Sequence, residues 1–381
     1  MTLTQVFVCL ATLTGTALAQ TPDYQRPDPT TSSPIAYVYV SRPTHIDAFA
    51  ASSSGKLTAV PGSPFSNIAV SHMSVNKKYL FGAGDNQQDL YSFSIGSNGA
   101  LKQVAVTNIL KDAPEGFGTG PIQIDGTGST LYNYIIVDDS FVQAFKIEEN
   151  GELQFLGDTE TDDTFDVQEV EPTMISFLGN NKFAFETGCD QDALDGATAA
   201  FKRESSGELK FVKGARELPK TKNPSDIYCP FKLATDPTDH LAFVLQAYNE
   251  NTGYSDGPMV LASYTADSEG NLTTKSTFET MPSIETQANT ISISPSGKFL
   301  AVGGSGFQIF HFNGSSPITK YTGVFQPGSQ FTEFGWDGDN HLYALGSGKL
   351  YVYTVTSTSV KEVSGSPYSI PEASSVIVLT K

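Results

Sequence analysis

Apolar and polar positions along this chain repeat one phrase. Short runs rich in alternating or continuous apolar residues begin near Ile35 (IAYVYVS), Tyr79 (YLFGAG), Leu131 (LYNYIIV), Lys182 (KFAFETG), Leu241 (LAFVLQAY), Phe299 (FLAVGG) and His341 (HLYALGS). Runs of this length, bounded by Gly, Asn and Ser, predict strands rather than helices. They recur at intervals of roughly 40 to 60 residues, the length of a four-stranded propeller blade.

Each run is followed by an aromatic: Phe49, Phe93, Phe145, Phe201, Tyr264, Phe310 and Tyr353. An aliphatic comes eight residues later, or seven in the last unit: Leu57, Leu101, Leu153, Leu209, Leu272, Ile318 and Val360. Turn pairs such as Ser54-Gly55, Asn98-Gly99 and Ser206-Gly207 lie between them and supply the positive φ of a tight hairpin. The aromatic and aliphatic are therefore expected to pack between neighbouring sheets. A further short strand precedes each run: residues 72–76, 121–125, 173–177, 231–235, 289–294 and 331–336. The first unit lacks one, and SSVIVLT (374–380) stands at the other end to supply it. The pattern predicts an all-β chain: a seven-bladed β-propeller of four-stranded antiparallel blades over 35–381. Its ring is closed by the C-terminal strand joining the N-terminal blade. A pair of β-sandwiches is the competing arrangement.

The beginning of the chain changes the setting. MTLTQVFVCLATLTGTALAQ has an apolar stretch and an Ala17-Leu18-Ala19 cleavage signature, so residues 1–19 read as a secretory signal peptide. A buried strand or a membrane anchor is the alternative. The Pro/Ser/Thr-rich residues 20–34 read as a disordered arm. A secreted, extracellular protein keeps Cys189 and Cys229 once Cys9 is removed, and an oxidising compartment pairs them. Alternation of strand direction also brings their two loops to one face. Asn271 and Asn313 begin sequons that would accept glycans.

A net charge of −18 and the lack of a Lys/Arg cluster argue against nucleic acid and anionic membranes as partners. Long acidic loops (111–120, 159–172, 189–196, 219–230 and 248–258) gather on the face where second and fourth strands end. They read as a solvated rim or, alternatively, as a Ca²⁺ site built from carboxylates and carbonyls. Aligning the units puts His72, Pro121, Met174, Lys232, Thr290 and Glu333 at equivalent early positions of the innermost strands. An acid, a base and a cation around a channel suit proton transfer or lactone chemistry. Each also suits a satisfied polar group in a wet channel. His45 lies on the same face, whereas His240, His311 and His341 read as structural. The sequence contains no G-x-S-x-G elbow, H-E-x-x-H or paired-Cys zinc spacing. No cofactor or metal is expected, and the protein is expected to be a monomer binding a small molecule or carbohydrate.

SPSGKFLAVGG (294–304), SGKLTAVPGSPF (54–65), its echo VKEVSGSPYS (360–369) and the N/S-G-x-L hairpins resemble the seven-bladed lactonase family. That family includes phosphogluconolactonase-like proteins and fungal carboxymuconate cyclases. The resemblance implies a lactone hydrolase or cycloisomerase, with a His, an acid and Arg side chains on the channel face. It points to His72 and to Glu186 in KFAFETG, with Glu333, as acid/base groups. Lys232, Arg42, His45 and Thr290 would then hold substrate, Arg216 lying toward the same face. The third unit (GPIQIDGTGSTLY) has no His and the fifth (LAFVLQAYNEN) no Arg. A non-catalytic binding or cell-surface antigen-like propeller and a Ca-dependent hydrolase therefore stay open as alternatives.

Overall fold

The computed structural model describes residues 33–65, 67–109, 118–135, 141–161, 175–190, 195–215, 218–338 and 340–381. The signal-peptide reading, most of the arm, Met174, Arg216 and much of the acidic loops lie outside the described residues.

The strands follow the predicted units. The first contains β1 (Ala36–Arg42), β2 (His45–Ala51) and β3 (Leu57–Ala59). The second contains β4 (Val70–Val75), β5 (Tyr79–Gly84), β6 (Asp89–Ile95) and β7 (Leu101–Asn108). Next come β8 (Ile122–Ile124), β9 (Thr130–Ile135), β10 (Phe141–Ile147) and β11 (Leu153–Glu160). They are followed by β12 (Ser176–Phe177), β13 (Phe183–Asp190), β14 (Asp195–Arg203) and β15 (Leu209–Ala215). The fifth group is β16 (Asp226–Thr235), β17 (His240–Asn249), β18 (Ser255–Ala266) and β19 (Leu272–Thr274). Then come β20 (Thr290–Ile293), β21 (Phe299–Asn313) and β22 (Ser316–Lys320). The chain ends with β23 (Phe325–Trp336), β24 (His341–Gly346), β25 (Lys349–Val355), β26 (Val360–Glu362), β27 (Tyr368–Ser369) and β28 (Ser375–Thr380). No helix occurs among the described residues.

β4 to β19 form four-stranded antiparallel sheets in simple chain order, and β20 to β27 form one connected set. Within that set β21 doubles back, with the Phe312 N–H reaching Lys298 O at 2.9 Å. Its first half pairs β20 and its second half pairs β22. The remaining sheet has the order β28-β1-β2-β3. Its register runs from Ala36 opposite Thr380 to Ser41 opposite Ser375, so the C-terminal strand supplies what the first unit lacks.

The predicted aromatic–aliphatic pairs are the inter-sheet cores. Phe93 and Leu101 pack with Tyr37 and Tyr39 of β1, and Phe145 and Leu153 with Tyr79 and Phe81 of β5. Phe201 and Leu209 pack with Tyr132 and Tyr134, Tyr264 and Leu272 with Phe183 and Phe185, and Phe310 and Ile318 with Ala242 and Val244. Tyr353 and Val360 join Phe299 and Ala301. Phe49 and Leu57 of the first unit pack against Tyr343 and Leu345 of the last. Each unit therefore buries its hairpin against the unit before it. Full burial of one such Phe stabilises by about 1.5–3 kcal/mol.

The hairpin glycines show the same contact from the backbone side. Gly99 has φ of 83° and sits against the Tyr37 ring. Gly55 has φ of 78° and sits against the His341 imidazole. Neither position tolerates a Cβ, for conformation and for space alike.

Two expectations change. Residues 248–258 are not an irregular insertion, because β17 and β18 extend as a hairpin with Tyr248 opposite Ser255 and Ala247 opposite Asp256. Likewise β16 begins at Asp226, so Cys229 lies within the strand rather than in the loop before it. The longer β17 provides the physical reason, since it offers Asn249 and Gln246 as partners to Asp226 and Cys229.

Candidate functional site

The first strands lie side by side. β28 lies against both β23 and β4, β4 also touches β8, and β12, β16, β20 and β23 follow one another. Among them His72 stands opposite Ala83, Lys232 opposite Val244, Thr290 opposite Gly303 and Glu333 opposite Leu345. Each thus stands opposite the fifth residue of its neighbouring second strand, so the four are level with one another, and all are partly buried. A sheet's innermost strand has one flank against the core and one toward the axis, so a polar residue here is held half out of water.

Glu333 is the most perturbed of these. Its Oε2 accepts the Val376 N–H at 2.5 Å. Burial raises its carboxyl to about 7, while the Val376 N–H and the Ser375 side chain pull the other way. β28 carries the connection onward. Ser374 Oγ lies 2.7 Å from Ser41 Oγ and 3.4 Å from Val70 O, the start of the strand that holds His72. Burial lowers the His72 imidazole below its ordinary value, and the Asp85 charge partly offsets this. A carboxyl that titrates near neutrality and a neutral imidazole therefore flank the same strand. This is the pairing that acid/base chemistry uses. His72 makes no hydrogen bond or ion pair with Glu333 or Glu186 among the described residues.

Glu186 is placed differently. It is fully buried in β13, opposite Ala199, and accepts a hydrogen bond from the Tyr134 hydroxyl. Sequence reasoning missed Tyr134, whose only signal is its place in the alternating run LYNYIIV. Arg42 and His45 face each other across the β1–β2 hairpin. Both converge on buried Asp47, at 3.6 and 3.7 Å. Arg42 Nε also donates to Pro371 O at 3.1 Å, and His45 Nδ1 lies 3.0 Å from Thr44 Oγ1.

The remaining histidines are structural. His341 Nδ1 lies 2.8 Å from Asp337 Oδ2, which also accepts the Tyr343 hydroxyl at 2.9 Å. His240 pairs with Asp236 at 3.1 Å, and His311 stacks on Tyr321. Cys189 and Cys229 form a disulfide with Cα atoms 5.1 Å apart. Asn313 is exposed, and the half-buried Asn271 donates its amide to Asp267 at 2.6 Å. Among the described residues, no three His, Cys, Asp or Glu converge as metal ligands. No helix there is long and apolar enough to cross a membrane.

No family model and no curated protein matches this sequence. Solved structures do. A Lactobacillus plantarum protein superposes with a TM-score of 0.64 at 12% identity, covering 90% of this chain and 99% of its own. Candidate 6-phosphogluconolactonases from Bacteroides uniformis and Bacteroides fragilis each give 0.59 at 14% identity. They cover 90% and 92% of this chain, and 99% and 100% of their own. The fold is a β-propeller of the kind seen in lactonase-like proteins. A hypothetical selenium-binding protein from Sulfolobus tokodaii also superposes, at 0.57 and 10% identity. One scaffold serves several chemistries, so function has to be argued from the site.

Proposed function

We propose that the protein is a secreted, seven-bladed lactonase-like enzyme acting on a small lactone or carboxylate at the mouth of its central channel. The observation that carries this reading is Glu333 and His72 flanking β28. One is a carboxyl raised to about 7, and the other an imidazole lowered by burial. Glu333 in its acid form would protonate the leaving or ring oxygen, and neutral His72 would take a proton from water or a substrate carbon. Lys232 and Thr290, level with both, would hold the substrate's oxygens. The seven-blade count rests on the cyclic series of inter-sheet cores ending with Phe49 against Tyr343. Secretion and glycans at Asn271 and Asn313 belong to the same reading and are consistent with the disulfide.

Purified protein assayed on a panel of lactones and muconates tests it. Turnover is expected, with kcat/KM falling as pH rises through about 7 and dropping by about 10²–10⁴ in His72→Ala. No turnover across the panel, or turnover unchanged in His72→Ala, overturns it. A non-catalytic binding propeller is the second reading. It is favoured by the Arg42 guanidinium facing Asp47 and Pro371 O rather than the channel.

A further inference from the structure

A concave site lies at the start of β16, the strand that carries Lys232 further along, and beside the disulfide. It is a cavity of about 430 Å³ whose lining includes Leu218, Pro219, Pro224, Asp226, Tyr228 and Glu250. We propose that this cavity binds a neutral monosaccharide or a polyol of similar size.

The strand period puts Asp226 and Tyr228 on one side of β16. Asp226 is only 8% exposed. Its Oδ1 accepts the side-chain amides of Asn223 at 3.0 Å and Asn249 at 2.9 Å. Its Oδ2 takes no hydrogen bond among the described residues, and neither does the Tyr228 hydroxyl. Asp226 lines the cavity, and its neighbours use only one of its two oxygens, so the other is free to accept a hydrogen bond from a ligand. A ligand hydroxyl supplies one, and a second hydroxyl can accept from Tyr228.

The rest of the lining suits the carbon face of a sugar. Tyr228 belongs to the core between the β12–β15 and β16–β19 sheets, and Leu218 packs against it. Pro219 and Pro224 extend the apolar wall. The volume falls within the roughly 300–1,000 Å³ of small-ligand sites. Asp226 and Glu250 against one cation, Lys220, discourage carboxylates and phosphates, so the two sites are expected to take different ligands.

The test is saturation-transfer NMR and calorimetry on the full protein with glucose, mannose and galactose, and with cyclohexylamine as a cationic control. Binding of at least one sugar is expected. Tyr228→Phe, which keeps the ring and its packing, is expected to weaken it about fivefold or more, and Asp226→Asn likewise. Sugars that do not bind, an amine that binds in their place, or affinity unchanged in both variants each overturn the proposal. Tyr228→Phe leaves lactone turnover unchanged if that reading also holds, so the two can fail separately.

Discussion

The carboxylate of Glu333 and the backbone N–H of Val376 meet at 2.5 Å, tying β23 to the C-terminal strand. The bond favours the charged form of Glu333, while burial favours the neutral form and prevails. The folded protein therefore holds this proton more tightly than the unfolded chain does. Stability from this group is full below about 4.5 and is lost as pH rises toward about 7. Glu333→Gln should flatten that slope and be more stable than the parent at pH 8 by about 3 kcal/mol. Urea unfolding midpoints from pH 4 to 8 check this. A parent profile with no fall across that window counts against the buried acid.

Asp337 should show the opposite slope. Burial works against its charge, but hydrogen bonds from His341 and Tyr343 outweigh it and hold the carboxyl below its ordinary value. Its contribution is present above the unfolded carboxylate value and lost as pH falls through the folded one. His341→Ala leaves a buried carboxylate short of a partner and should cost about 3–5 kcal/mol at pH 7. The loss should shrink toward pH 3. Denaturant titrations at the two pH values measure the difference.

Reducing the Cys189–Cys229 bond should destabilise the protein by about 4 kcal/mol, given a sequence separation of 40 and the chain-entropy relation. Unfolding with and without reductant, alongside a Cys189→Ser/Cys229→Ser double variant, tests it. The double variant should match the reduced parent and be indifferent to reductant.

Gly99 and Gly257 separate conformation from space. Both have positive φ, 83° and 73°. A Cβ on Gly99 would fall 2.4 Å from the Tyr37 ring, whereas one on Gly257 would meet nothing within 4 Å. Gly257→Ala should cost about 1 kcal/mol from backbone strain alone, and Gly99→Ala about 3 kcal/mol with the steric term added. Equal losses in thermal unfolding would show that Tyr37 yields without cost.

The scaffold was readable from the sequence because its packing is periodic. The eight-residue step from Phe93 to Leu101 crosses one hairpin, and each copy must fill the same gap between sheets. The disulfide was readable because strand direction brings the end of β13 and the start of β16 to one face. What stayed hidden depends on pairs distant in sequence. Arg203 reaches back to the buried Asp125 at 2.6 Å, linking β14 to the end of β8. Its only trace is an Asp closing a first strand before a turn, as at Asp125, Asp236 and Asp337. The candidate site was legible as a set of level positions, His72, Lys232, Thr290 and Glu333. It was not legible as chemistry, because burial in the folded ring raises the Glu333 carboxyl, and the hydrogen bonds that oppose the rise come from β28, a strand more than forty residues further on. The turn toward Asp47 of Arg42 and His45, like the unpaired oxygen of Asp226, depends on side-chain directions that composition and spacing do not encode.

The pairing of β28 with β1 also sets a timetable. A chain emerging from the ribosome can assemble β4 to β19 sheet by sheet, each next to the one just made. The sheet that starts at Ala36 must wait until residues 375–380 are released. Until then the edge from Ala36 to Ser41 stays open to any passing strand. Residues 375–380 thus finish a sheet begun more than three hundred residues earlier, and quality control has a natural checkpoint there: a product truncated before them exposes that edge, and one that contains them hides it.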